Sequence, residues 1–168
     1  MRPWRDEDRP AFAELNADPR VMEHLHALLS RSESDELLDR IEEHFERHGF
    51  GFWAVEPREA PRLSGFVGLS IPRFDLHFTP CVEVGWRLAH RDWGKGFATE
   101  AARAALSFGF EELDLDEIVS FTIPANQRSR RVMERIGMTH DPSDDFDHPM
   151  FEPSHRLSRH VLYRTRRP

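Results

Sequence analysis

The pattern of apolar and polar positions predicts helices in the first part of the chain and a mixture of strands and helices after it. Apolar residues recur at helical spacing near the N-terminus, with Phe12 and Leu15 on one face of a first helix. Asp6 stands just before this run and is a suitable N-cap for the helix.

A second helix is predicted from about 34 to 48, because four apolar residues form a stripe along one face. Ser32 and Asp35 have the spacing of a capping box, and Gly49 is a natural C-terminal stop. The stripe consists of Leu37, Leu38, Ile41 and Phe45.

Period-two alternation follows, which is typical of half-buried strands. In the third such segment three apolar residues alternate with Glu83, Gly85 and Arg87. The predicted strands cover residues 50–56, 63–71, 81–88, 117–123 and 158–164.

Two further helices are predicted between these strands. One follows the third strand and has small residues on one face, which would let it lie close to a sheet; a shorter one ends at Gly137. The polar, proline-containing segment 140–155 is predicted to be a long loop. Several strands follow one another in hairpin-like order, so we expect a mixed α/β sheet. The chain contains no repeat or linker, so we expect a single domain over 1–168.

Composition narrows the class of protein. The 168 residues carry a formal net charge of −7, which argues against a general nucleic-acid binder. No apolar run is long enough to span a membrane, and the charged N-terminus lacks a signal-peptide core. Cys81 is the only cysteine, so no intrachain disulfide can form. We therefore expect a cytoplasmic protein with no membrane and no direct nucleic-acid partner.

The segment 140–155 and the strand after it are rich in histidine and aspartate. The spacing of these residues matches no standard set of metal ligands, so no metal site is predicted. A loop that closes over a cationic acceptor and a plain solvated loop both remain open. The histidines are His140, His148, His155 and His160.

The most informative segment joins the third strand to the alanine-rich helix. Gly94 and Gly96 allow unusual backbone angles and the close approach of a ligand. The helix that follows presents unpaired N–H groups and the positive end of its dipole. With Lys95, the chain's only lysine, these features predict an anion site suited to phosphate, although a ligand-free connection remains open.

A second basic segment lies further along the chain. Its arginines are Arg128, Arg130, Arg131 and Arg135. They form either a solvated helix face or a second basic element that faces the same anion. The P-loop pattern is absent. The dinucleotide-binding pattern also fails, since it needs glycine or alanine at Thr99.

Two segments in this order resemble the GNAT superfamily of acetyl-CoA-dependent N-acetyltransferases: "WRLAHRDWGKGFATEA" and, about 30 residues on, "FTIPANQRSRRVMERIGM". Within the superfamily the chain is similar to the Rim-type branch, which acetylates ribosomal-protein N-termini. The family's Gln/Arg-x-x-Gly-x-Gly/Ala pattern falls on Trp93, Gly96 and Ala98, and tryptophan at the first position resembles the Rim branch.

This resemblance implies a GNAT fold, with a mostly antiparallel sheet whose strands splay apart, flanked by about four helices. It also implies acetyl-CoA as the cofactor, with its pyrophosphate on the backbone of 94–99 and its pantetheine arm along the third strand. Asn126 matches a position that contacts pantetheine, and Ser129 lies one helical turn further on. The implied cofactor-binding residues are Trp86, Arg87, Leu88, Trp93, Gly94, Lys95, Gly96, Phe97, Ala98, Thr99, Asn126, Ser129 and Arg131.

Catalytic residues follow less directly from the resemblance. Met133 occupies the position of the usual tyrosine acid, and Phe121 replaces the base that some relatives carry. Glu83 is the best remaining base, and Ser129 is the nearest donor to the thiol sulfur. A purely structural role for Glu83 remains open.

The implied reaction is direct transfer of an acetyl group to a primary amine, for which we expect a protein N-terminal α-amine. The alternatives are a small-molecule amine, such as a polyamine or an antibiotic, and a catalytically silent acyl-CoA-binding module. The partner we expect is therefore an amine acceptor, and a homodimer is left open. Relatives usually carry several more residues before "RPW", so the first strand is expected to be short or to start upstream.

Overall fold

The computed structural model describes residues 1–167 and is built around an open sheet. Seven strands form the sheet within residues 1–167, in the order β1-β2-β3-β4-β7-β5, with β6 paired to β7. All pairings are antiparallel except β3 with β4. The strands are β1 (Phe52–Val55), β2 (Gly65–Ser70), β3 (Glu83–Leu88), β4 (Glu117–Thr122), β5 (Thr139–His140), β6 (Phe146–Asp147) and β7 (Arg159–Arg166).

Five α-helices within residues 1–167 cover the two faces of this sheet. They are α1 (Arg9–Asn16), α2 (Pro19–Met22), α3 (Arg31–His48), α4 (Phe97–Glu111) and α5 (Gln127–Arg135). The arrangement confirms the predicted mixed, mostly antiparallel α/β fold. The single domain over 1–168 stays a prediction.

Apolar side chains form a separate core on each face of the sheet. On one face α4 packs against β2 and β3 through its small residues Ala101, Ala102 and Ala105. Gly109 lets this helix approach β4, since a Cβ there would lie 2.6 Å from Ile118 Cδ1. On the other face α1 and α3 pack on β1 and β2, with Phe12 at the centre of the core.

The sheet is split between β3 and β4, as expected. The only register pair between these parallel strands within residues 1–167 joins Glu83 to Val119, and Val119 donates its N–H to the carbonyl of Val82. Beyond Glu83 the two strands diverge. The edge of β3 from Gly85 to Leu88 is therefore left without a neighbouring strand on that side.

The N-terminal boundaries of the first helices differ from the predicted ones. Asp6 is exposed, and it is the buried carboxylate of Asp8 that accepts the N–H of Arg5. The capping box of α3 is formed by Ser30 and Glu33, not by Ser32 and Asp35. Both pairs have the required spacing, but a glutamate side chain is long enough to reach back to the backbone of the N-cap residue.

Short backbone pairings also occur at the beginning and in the last third of the chain. Arg2 forms an isolated antiparallel bridge with Ala54. The predicted long loop 140–155 contains part of β5, a 3₁₀ turn and β6. No helix within residues 1–167 is both long and apolar enough to span a membrane.

Candidate functional site

The glycine turn before α4 has the predicted conformation. Gly94 and Gly96 have φ angles of 76° and 86°, in the left-handed region that favours glycine. A Cβ added at either would meet no atom within 4 Å among residues 1–167. Gly96 is the N-cap of α4 and offers no side-chain hydrogen bond to the first turn. The backbone N–H groups at this end of the helix are therefore available to an anion.

The buried carboxylate of Asp92 stabilises this turn through side-chain hydrogen bonds. It is only 2% exposed, and its carboxylate accepts hydrogen bonds from Lys95 (3.0 Å), Ser64 (2.9 Å) and Arg62 (3.0 Å). Burial alone would raise the pKa of Asp92, but these contacts lower it below its ordinary value. Asp92 thus stays ionised and fixes the turn on β2 through Ser64.

A cavity of about 460 Å³ lies above the turn, between β3, the N-terminus of α4 and α5. All the residues that the sequence analysis assigns to the cofactor line this cavity, except Lys95. Those present are Trp86, Arg87, Leu88, Trp93, Gly94, Gly96, Phe97, Ala98, Thr99, Asn126, Ser129 and Arg131. Lys95 is half exposed, and its ammonium group donates to Asp92, which lines this cavity.

The unpaired edge of β3 faces this cavity. Ala89 donates its N–H toward β2, and Val82 presents its carbonyl toward β4. Backbone groups alternate along a strand, so the N–H and C=O of Trp86 point into the split. The carbonyl of Leu88 accepts the indole N–H of Trp93 at 2.8 Å. An extended ligand can therefore pair with Trp86 as another strand would.

Several cavity residues were missed by the sequence analysis. They include Arg20, His24 and Leu25 from the segment around α2. Arg128 of α5 also lines the cavity, in agreement with the anion-facing alternative for the basic segment. The guanidinium of Arg128 lies 4.4 Å from the ring centre of Trp93 and forms a 2.7 Å ion pair with Glu23. Only the arginine-rich composition of α5 hinted at this contact; the α2 segment carried no local signal.

A second cavity of about 210 Å³ adjoins the first on the α1 side of β3. Glu83 and Arg87 line it, together with the rings of Phe52, Phe66 and Phe121. The two cavities share Leu25, Trp86, Arg87, Asn126 and Ser129, so they are continuous at the split between β3 and β4.

Glu83 has an unusual environment in this smaller cavity. Burial raises the pKa of its carboxyl to about 8. Among residues 1–167 the Glu83 carboxyl has no cation within 4.0 Å that would hold it in the ionised form. A carboxyl group with such a pKa can accept and release a proton near neutral pH.

Ser129 lies where the two cavities meet. Its hydroxyl oxygen accepts a hydrogen bond from Nδ2 of Asn126 at 3.1 Å, and its N–H donates to Oδ1 of the same side chain at 3.2 Å. Asn126 is thus the N-cap of α5 and also orients Ser129. The hydroxyl hydrogen of Ser129 remains free to donate into the cavity.

Comparison with known proteins agrees with this geometry. The family model described as an acetyltransferase (GNAT) domain matches residues 1–139. The chain belongs to the GNAT acetyltransferase family. It is 31% identical over 139 residues to the protein YkkB of Bacillus subtilis, covering 82% of this chain and 80% of that one.

Solved structures have the same fold. An acetyltransferase from Agrobacterium tumefaciens superposes with a TM-score of 0.77 at 27% identity, covering 99% of this chain and 89% of that one. A spermidine N-acetyltransferase from Vibrio cholerae, in complex with CoA and spermine, gives a TM-score of 0.75 at 20% identity, over 98% and 93% of the two chains.

The larger cavity of this GNAT enzyme suits acetyl-CoA, the cofactor of the family. The open glycine backbone and the arginines at the cavity rim, among them Arg128 and Arg131, provide donors and positive charge for phosphates. The free edge of β3 at Trp86 suits an amide-containing arm.

Tyr163, the only tyrosine of the chain, does not occupy the position of the tyrosine acid of relatives. Met133, at that position, is buried. The hydroxyl of Tyr163 donates to Glu134 at 3.1 Å and accepts from Arg130 at 3.2 Å, and Tyr163 lines neither cavity.

Proposed function

We propose that this enzyme transfers an acetyl group from acetyl-CoA directly to an α-amine, with Glu83 as the base. The observation that carries the proposal is the position of Glu83 in the smaller cavity, next to the split where the cofactor cavity ends. Acetyl-CoA supplies the acetyl thioester, whose C–S bond breaks with its electron pair on sulfur as the amine nitrogen bonds to the acetyl carbon. The α-ammonium group gives one proton to Glu83 to form the attacking amine, and the second proton that the nitrogen loses on acylation passes to the departing thiolate.

The pKa of Glu83 favours an α-amine over a lysine. An α-amine has a pKa of about 8, close to the value of about 8 for Glu83, whereas lysine has about 10.4. Proton transfer from the α-ammonium to Glu83 therefore costs little free energy. Transfer from lysine would cost about 3 kcal/mol more.

Ser129 is the donor we assign to the departing sulfur. Asn126 holds its oxygen, and its hydroxyl hydrogen is free at the junction of the cavities. A hydroxyl is a weak acid, but a thiol has a pKa of only about 8.5, so the thiolate leaves without a strong acid.

The acceptor that the Rim-type resemblance predicts is a protein N-terminus. A small-molecule amine is the second candidate, and the size of the acceptor cavity, about 210 Å³, favours it. We place the enzyme in the cytoplasm, where its single cysteine, Cys81, stays reduced. A homodimer remains an open part of this proposal.

The experiment uses a peptide with a free N-terminus and its N-blocked, lysine-containing counterpart. Free thiol release is followed at pH 7, and mass spectrometry locates the acetyl group. We expect kcat/KM to be at least tenfold higher for the free N-terminus. Faster turnover of the blocked peptide would contradict the preference for an α-amine, and release of no thiol with any amine would contradict the transferase reaction.

A further inference from the structure

Two ionisable side chains of opposite type line the smaller cavity without pairing with each other. Glu83 and Arg87 project from the same face of β3. Among residues 1–167 neither has a partner of opposite charge within 4.0 Å, and burial alone moves the pKa of each, that of Arg87 down to about 10. Uncompensated charges in a cavity are costly, which marks them as groups that meet a ligand.

Arg87 is held rigidly but is not neutralised. Its Nη1 donates to Oδ1 of Asn16 at 2.6 Å, and Nδ2 of Asn16 donates to the hydroxyl of Ser34 at 2.9 Å. Asn16 and Ser34 are fully buried and uncharged. The guanidinium lies over Phe66, 5.4 Å from its ring centre, and its Nε is buried without a hydrogen-bond partner among residues 1–167.

Gly85 lies in the wall of the smaller cavity, where the ring of Phe52 comes within 3.1 Å of the point that a Cβ would occupy. It lies between Glu83 and Arg87 on the same face of the strand. Oε1 of Glu83 is 3.7 Å from the point that a Cβ of Gly85 would occupy, so the carboxyl group leans toward Arg87. Glu83 and Arg87 line the same cavity of about 210 Å³, so one small ligand can contact both groups.

We propose that the acceptor carries a carboxylate a few bonds from its primary amine, as a free amino acid does, and that Arg87 binds this carboxylate while Glu83 faces the amine. The inference rests on the proposed function and specifies its acceptor. The rings of Phe52, Phe66 and Phe121 provide apolar walls for the acceptor's side chain. A polyamine would bring a second cation toward Arg87, which disfavours it.

Matched acceptors test the carboxylate directly. L-leucine is compared with L-leucinamide, and Asp-Ala-amide with Ala-Ala-amide, because an acidic first residue of a peptide offers the same chemistry. Thiol release gives kcat/KM for each. We expect kcat/KM to be at least tenfold higher for the carboxylate-bearing member of at least one pair. Protonation alone would have the opposite effect in the first pair, because L-leucinamide has the less basic amine.

The variant Arg87→Gln keeps a donor for Asn16 but loses the charge. We expect it to abolish the preference by raising KM for the carboxylate-bearing acceptor at least tenfold, and to leave the Kd for CoA within about threefold. Arg87→Lys is expected to restore part of the preference. Arg40→Gln, an exposed arginine on α3, is the matched control and should change neither quantity.

Three results would overturn the inference: equal turnover of both members in both pairs, an unchanged preference in Arg87→Gln, or a loss in this variant confined to CoA affinity. Calorimetry of L-leucine and L-leucinamide with the CoA-loaded protein separates this inference from the proposed function. Tighter binding of leucine than of its amide supports Arg87 recognition even where no thiol is released.

Discussion

The indole Nε1 of Trp93 donates a 2.8 Å hydrogen bond to the carbonyl of Leu88. This bond ties the glycine turn to the end of β3, so the two walls of the larger cavity are held together. The ring also contacts Arg128 of α5, which is itself paired with Glu23. Trp93 therefore links three parts of the cofactor site.

Replacing Trp93 by phenylalanine should weaken CoA binding. The Trp93→Phe variant loses the hydrogen bond to Leu88 and much of the attraction for Arg128, since tryptophan is the best partner for a cation. We expect the Kd for CoA, measured by calorimetry, to rise about three- to tenfold.

Trp4→Phe is the control for this prediction. It removes a similar bond, from Trp4 Nε1 to the carbonyl of Phe52 at 2.6 Å, on the α1 side of the sheet. It should lower the melting temperature and leave CoA affinity unchanged. Equal Kd values for Trp93→Phe and wild type would contradict the assigned role.

A side chain at Gly96 should block the phosphate site. Gly96→Asp adds a carboxylate to the helix N-terminus and should reduce CoA affinity at least tenfold, about 1.4 kcal/mol. Gly49→Asp is a matched control, because Gly49 also has a positive φ (76°) and open space around its Cα, but lies at the end of α3. Both variants should lose some stability through backbone strain. Near-wild-type affinity in a folded Gly96→Asp protein would show that the phosphates of CoA do not bind at this turn.

The cluster of histidine and aromatic rings around β6 and β7 should make stability depend on pH. His148 and His160 lie 5.1 Å apart among the rings of Phe121 and Phe146. Burial lowers the pKa of both below 6.5, and the charge of a protonated His160 lowers the pKa of His148 further. The unfolded chain therefore binds more protons, and stability falls as the pH drops below about 6.5.

Melting temperatures between pH 8 and pH 5 measure this effect. His160→Phe should flatten the acid limb of the curve, whereas His26→Gln, at an exposed position before α3, should leave it as in wild type. Parallel curves for wild type and His160→Phe would show that the cluster does not control acid stability.

Sequence periodicity was sufficient where elements depend on local signals. The strand predicted at 81–88 was found as Glu83–Leu88, and the last turn of α3 ends at Gly49 with a left-handed φ, as predicted. The helix starts were less accurate, because several residues before α1 and α3 can act as caps. Only the folded structure decides that Asp8, which also binds Arg2, is buried while Asp6 is exposed.

In the candidate site too, the sequence predicts features that are local in the chain and does not predict contacts between distant segments. The glycine turn and the Asn126–Ser129 pair are local in sequence, so motif spacing could locate them. The bond between Arg87 and Asn16 joins residues 71 positions apart, and the pair of Arg128 with Glu23 spans 105. Such contacts depend on how α1, α2 and α5 pack around the sheet, which the spacing of residues does not encode.

The pH dependence of kcat/KM in wild type and Glu83→Gln tests the central claim most directly. Because the pKa of Glu83 is about 8, wild-type kcat/KM should rise with pH up to about that value as the base loses its proton. Glu83→Gln should lower kcat by about 10²-fold with an unchanged Kd for CoA, and should keep only the rise in kcat/KM that comes from deprotonation of the acceptor amine itself. Glu117→Gln, which alters a β4 carboxylate paired with Arg164 outside both cavities, should keep the wild-type profile. A Glu83→Gln enzyme with wild-type kcat and the same pH profile would contradict the account.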